Sequence, residues 1–133
     1  MKRFLLDTCV IIWYVSEDSR TTALAEDINY FQEDYAVSVE TLAELLQLLQ
    51  SGKLRLGASF EAIIKRLEEL NICIVNFDTD VLHTLKVLPV LKHHADPTDR
   101  RIIATAIATR RTLISGDEKF SDYVAYGLSL LEI

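Results

Sequence analysis

Aspartates that close apolar runs are the residues of this sequence best placed to do chemistry. Asp7 ends RFLLD, and Asp117 follows TLIS after a single glycine. A third, Asp99, stands in HADPTDRRIIATAIA, where two aspartates and two arginines surround a proline before the chain turns apolar. Carboxylates gathered at one place raise one another's pKa values and stay ionised together only beside a compensating cation. Hard divalent ions with oxygen ligands, Mg²⁺ or Mn²⁺, are their natural partners. Such an ion can orient and deprotonate water for displacement at phosphorus.

Each aspartate also has a structural reading. Asp96 as helix N-cap, Pro97 at the first helical position and Asp99 at the third make a good helix start. Acids in a first turn suit the helix dipole, by about 0.3–1 kcal/mol at an exposed site. Asp7 would cap a helix over TCVIIWY. Asp117 would open a further helical turn with Glu118 and Lys119 in solvent, and Asp122 is a weaker candidate ligand. Asp78 reads as the N-cap of TDVLHTLKVL.

Other chemistries lack their signatures. There is no GxxxxGK[ST] loop, no GxGxxG after a strand and no GxSxG elbow. Cys9 stands in DTCVI where an aspartyl phosphatase would need its second aspartate. His83, His93 and His94 lack the spacing of a zinc site.

The elements that must position the acids alternate in period. Apolar runs at 3–7, 35–38, 72–77, 112–115 and 128–133 read as buried strands. LAELLQLLQ, FEAIIKRLEEL and DRRIIATAIATR read as helices, the first ending at Ser51-Gly52. The strands are near-continuously hydrophobic, as when helices cover both faces of a parallel sheet. The expected fold is therefore α/β, a three-layer α/β/α domain with a mainly parallel sheet of about five strands. Ligands of open parallel sheets bind at the carboxyl ends of the strands, so Asp7 and Asp117 should share one edge. On the LAELLQLLQ helix, Leu42, Leu45, Leu46 and Leu49 form the apolar stripe, and Glu44 nearly opposite reads as solvated.

At 133 residues the chain makes one domain, 1–133, with an ordinary globular composition. The basic, apolar amino terminus resembles a signal peptide, but Asp7 interrupts it and no cleavage site follows. No stretch is long enough to span a bilayer, so no membrane partner is expected. Cys9 and Cys73 read as buried reduced thiols, suited to the cytoplasm. A net charge of −6 argues against a general nucleic-acid coat but not against an enzyme with an acidic pocket.

Taken in order, LLDTCVII, SVETLAEL (38–45), HADPTDRRIIATAIA (94–108) and TLISGDEKFSDY (112–123) resemble the PIN-domain ribonucleases, in particular the VapC-type toxins of bacterial toxin–antitoxin pairs. The resemblance runs the length of the chain. It implies metal ligands at Asp7, Glu44, Asp99 and Asp117, with Glu44 chosen over Glu40 by its spacing after Ser38. It implies an Mg²⁺- or Mn²⁺-dependent endoribonuclease whose products carry 5′-phosphate and 3′-hydroxyl ends. It also implies a cognate antitoxin that inserts a peptide near the acidic pocket, and a homodimer. Thr8, Asp96 and Ser115 are candidate hydrogen-bonding supports for the ligands, and Arg100, Arg101 and Lys119 are candidate RNA phosphate contacts. Trp13 and Tyr14 read as core. Two other functions use the same features: a PIN-like protein-binding module without catalysis, and a metal-dependent phosphohydrolase of small phosphodiesters.

Overall fold

The computed structural model describes residues 1–93 and 96–133. His94 and Ala95, where the HADP segment begins, lie outside the described residues. Five short strands, β1 (Arg3–Leu6), β2 (Asp34–Ser38), β3 (Cys73–Val75), β4 (Thr112–Ser115) and β5 (Leu130–Glu132), form one parallel sheet in the order β3-β2-β1-β4-β5. The strands fall where the apolar runs predict. β1 stops one residue early because Asp7 turns into a helix. The edge strands β3 and β5, each paired on one side, are shorter than ICIVNF and LSLLEI suggest.

Among the described residues six α-helices surround the sheet: α1 (Thr8–Val15), α2 (Thr22–Asn29), α3 (Val39–Gln50), α4 (Phe60–Glu69), α5 (Thr79–Val87) and α6 (Pro97–Ala108). Two 3-10 helices, Ser19–Thr21 and Glu118–Tyr126, complete the connections. Side-chain caps set most of the helix starts. Asp7, Ser38, Ser59, Asp78 and Asp96 each accept a backbone N–H of the first turn. α3 ends at Ser51 with Gly52 at φ +76°, a left-handed conformation that glycine takes without strain.

Alternation along the strands divides the core into two layers. Leu5, Ala36 and Leu113 face Ile102, Ile103 and Ala106 of α6 together with Phe120 and Tyr123. Leu6, Val37 and Ile114 face the other way, toward Val10, Ile11, Ile28, Leu42, Leu45, Ile63 and Leu67 of α1 to α4. Each fully buried Leu or Ile contributes about 1.5–3 kcal/mol. At the amino ends of the strands, the buried Arg111 puts Nη1 3.1 Å from Asp34 Oδ1 and donates to the carbonyls of Phe4 and Asp34 at 3.3 Å.

The chain leaves β1 toward β2 and β3 on one side, then returns to place β4 and β5 on the other. That reversal opens a crevice at the carboxyl ends of β1 and β4, where a doubly wound sheet offers its ligand site. Both cysteines are free, as expected, yet Cys73 is exposed rather than buried. It opens the edge strand β3, which is paired on one side, with β2. Among the described residues no helix is long and apolar enough to cross a membrane.

Candidate acidic metal site

The crevice is organised around Asp7. Its backbone N–H donates to the Ile114 carbonyl at 3.0 Å, which carries the β1–β4 pairing one residue past the strand. Its Oδ1 accepts the Thr8 N–H at 2.8 Å, capping α1. Its Oδ2 accepts the Ser115 hydroxyl at 2.8 Å, and the same Ser115 Oγ accepts the Asp117 N–H at 3.0 Å. Ser115 is fully buried, so one hydroxyl fixes both the first aspartate and the loop that carries the last. Asp7 and Asp117 therefore share the edge that the strand pattern predicts.

Asp7 is 6% exposed, and burial pushes its carboxyl above the ordinary range. Hydrogen bonds from Ser115, Thr8 and Cys9 pull it back, while the charge of Asp117 adds to the rise. The Cys9 thiol reaches Asp7 Oδ2 at 3.5 Å and is itself pushed up by burial and by the Asp7 charge. It stays a neutral donor.

Glu44 departs from its amphipathic reading. It is half-buried rather than solvated, because the flank of α3 away from the leucine stripe packs against α1 and α6. Burial raises its carboxyl, the nearby Thr8 hydroxyl lowers it, and the charges of Asp7 and Asp96 raise it further. Thr8 Oγ1 is nevertheless buried without a partner in good hydrogen-bond geometry. Glu40, the other acid on this helix, pairs with Arg101 at 3.0 Å. Asp96 caps α6 by accepting the Asp99 N–H at 3.0 Å, with Pro97 at the first position as the sequence predicts. Asp99 is half-buried at the start of that helix.

Among the described residues no Lys, Arg or His forms an ion pair with Asp7, Glu44 or Asp117. Nor do any three Asp, Glu, His or Cys side chains converge enough to enclose an ion. The acids make an open arc in the electrostatic sense: the charge of Asp117 acts on Asp7, and those of Asp7 and Asp96 act on Glu44. Of the candidate phosphate contacts, Arg100 donates to the Leu88 carbonyl at 2.7 Å and Arg101 holds Glu40. Lys119 is exposed, and Asp122 points to solvent on the 3-10 helix.

A cavity of about 450 Å³ opens beside Asp117, lined by Cys9, Trp13, Gly116, Asp117, Glu118 and Lys119. A similar one of about 470 Å³ lies around Tyr14, Asp18, Ala25 and Arg66, away from the acids. Trp13 is thus a wall of the site rather than pure core. The available signal was its place on α1 one turn after Cys9, itself two residues past the strand-end aspartate.

The chain belongs to the PIN-domain family, whose model matches residues 4–125. Among solved structures it is similar to VapBC2 from Rickettsia felis, bound there to a DNA fragment from their promoter, at TM-score 0.72 and 19% identity over 97% of both chains. It is similar to VapBC-1 from nontypeable Haemophilus influenzae, with TM-score 0.68 and 22% identity over 97% of this chain and 96% of that one. FitAcB from Neisseria gonorrhoeae gives TM-score 0.67 and 23% identity over 97% and 96%. Comparison with functionally curated proteins finds no significant match.

Proposed function

We propose that this chain is a divalent-metal-dependent endoribonuclease and the toxin of a toxin–antitoxin pair. The observation that carries the reading is a buried carboxylate, Asp7, fixed by Ser115 and Thr8, flanked by two further acids and compensated by no described basic side chain. Such an arrangement is costly to a fold unless a cation completes it.

The residues fit a small, hard ion. All the donors are oxygens, and the Thr8 hydroxyl, buried beside Glu44, has no partner in good hydrogen-bond geometry among the described residues. Mg²⁺ commonly takes one or two carboxylates directly and keeps waters that reach others, so an open arc suits it. Asp7, Glu44, Asp99 and Asp117 would hold it. When bound, the ion supplies charge stabilisation at phosphorus and a water of lowered pKa. The protein's own part is positional: Ser115 sets the Asp7 carboxylate and the Asp117 loop, Asp96 sets the turn carrying Asp99, and exposed Lys119 can hold a flanking phosphate. The likeness to VapBC and FitAcB complexes supports an antitoxin partner, and the family supports a cytoplasmic homodimer.

Calorimetric titration of Mn²⁺ into the wild type and Asp99→Asn, followed by RNA cleavage with and without EDTA, tests the reading. The wild type should bind metal and cleave RNA, and the folded variant should do neither. No metal binding, with cleavage unchanged in the variant, would overturn it. Faster hydrolysis of bis-nitrophenyl phosphate than of RNA would select the phosphohydrolase. Metal binding without either hydrolysis would select the binding module.

A further inference from the structure

We infer that the cavity beside Asp117 is a nucleobase subsite walled by Trp13, which selects a base carrying amino donors next to the phosphate that the acids address. The inference rests on the ribonuclease reading and extends it to base preference.

Position comes first. Gly116 to Lys119 form one side of the cavity, and Asp117 belongs to the acidic arc, so an occupant lies alongside the proposed reaction centre. It is a shallow, open depression of about 450 Å³ with room for a base to lie across it.

The wall is held rigid. The Arg20 guanidinium lies 3.7 Å over the indole and is itself clamped by Asp18 at 2.8 and 2.9 Å. At the far edge, a side chain at position 116 would meet Trp13 Cη2 at 2.1 Å. Glycine there is what lets the indole lie against the strand end. An aromatic surface locked on two sides loses little freedom when a base packs on it. Such contacts are sequence-tolerant in themselves, because every base has a π-face.

Selection must therefore come from the polar rim, which is acceptor-rich. Glu118 is exposed and makes no ion pair among the described residues, and Asp117, whose Oδ1 accepts the Lys119 N–H, lines the same cavity. Carboxylates accept from amino groups at base edges. Guanine offers adjacent N–H and NH₂ donors to a single carboxylate, whereas uracil flanks its one donor with carbonyls that such a rim repels. Lys119 is placed to take the phosphate of the same nucleotide.

Trp13 is the chain's single tryptophan, so any fluorescence change comes from the residue that walls this cavity. The test is titration of the metal-free wild type with GMP, AMP, CMP and UMP. Saturable quenching is expected, with GMP at least about fivefold tighter than UMP. Glu118→Ala should remove the preference. By calorimetry Trp13→Leu should weaken GMP about tenfold, within the range for losing one base–aromatic contact.

The absence of saturable quenching by any nucleotide overturns the subsite, and equal affinity for UMP and GMP overturns its selectivity. These outcomes separate from the underlying reading. Quenching by GMP in a protein that cleaves no RNA leaves the subsite and removes the nuclease. RNA cleavage with an unchanged base preference in Glu118→Ala, and no quenching, does the reverse.

Discussion

Replacing Asp7 by Asn should stabilise the metal-free protein and, on the proposed metal-site reading, forfeit stabilisation by the ion. The isostere keeps an oxygen for the Thr8 N–H. Its new NH₂ can donate to Ser115 Oγ, whose second lone pair still takes the Asp117 N–H. Two charge-assisted hydrogen bonds become neutral ones, a loss of about 1 kcal/mol each, and the long Cys9 thiol contact loses its acceptor at a smaller cost. Against this, an uncompensated carboxylate that is 6% exposed costs the native state several kcal/mol, on the usual order for buried ions. The expected net gain is about 1–2 kcal/mol, as often seen when a functional residue is exchanged for a stabilising one. For a chain of 133 residues, this should raise Tm by about 4–8 °C.

The pH dependence has a definite sign. Burial holds the Asp7 carboxyl above its ordinary value. From that ordinary value up to the folded one, the native state keeps a proton that the unfolded chain has released, so wild-type stability falls as pH rises. The advantage of Asp7→Asn is therefore absent in acid, grows through that window and is complete above it. Mn²⁺ at 100 times its Kd should then add about 2.7 kcal/mol to the wild type and nothing to the variant, reversing their order. Unfolding followed by circular dichroism, in EDTA and in Mn²⁺ across the acid and neutral range, reads both effects. An Asn variant less stable than wild type in neutral EDTA would make Asp7 a structural cap. Equal stabilisation of both proteins by Mn²⁺ would place the metal elsewhere.

Ser115→Ala should cost about 1–3 kcal/mol, because it strips a donor from Asp7 and leaves the Asp117 N–H without its acceptor; denaturant unfolding measures it, and cleavage should fall with it. Asp34→Asn leaves the buried Arg111 guanidinium without its carboxylate and should cost about 1–3 kcal/mol, less than for a fully buried pair because Asp34 is a third exposed. Burial raises the Asp34 carboxyl, but Arg111 and Arg3 outweigh it and hold the group below its ordinary value. Its contribution is thus complete above the ordinary carboxylate range and should disappear as pH falls through the lowered folded value, which acid unfolding of both proteins checks. Gly116→Ala drives a methyl into the Trp13 ring; an overpacking cost of about 1–3 kcal/mol and a shifted Trp13 emission maximum are expected.

The parts of the site carried by strand ends were legible in the sequence. Asp7 and Asp117 follow apolar runs, and parallel strands deliver their carboxyl-terminal residues to one edge whatever the strand order. Asp96-Pro97 could be read as a helix start because capping is local chemistry. Glu44 could not be placed from periodicity, since an amphipathic pattern distinguishes the sheet-facing side of a helix from the rest but not solvent from a neighbouring helix. α3 touches α1 and α6, so part of its polar side is interior. Trp13 was ambiguous for the same reason: a large apolar side chain on α1 satisfies the core and the cavity wall alike. Cys73 was misread because an apolar run does not announce that its strand lies at the edge.

The central hydrogen bond of the site joins residues 108 positions apart, Ser115 to Asp7. β1 forms early in synthesis and can pair with β2 at once, but its other edge waits for β4. A nascent chain that has not yet reached residue 117 therefore has no acidic arc, however well its first two-thirds have folded. On the proposed ribonuclease reading, the chain would in this way be assembled on a ribosome without being competent against it, and activity would date from the closing of one strand.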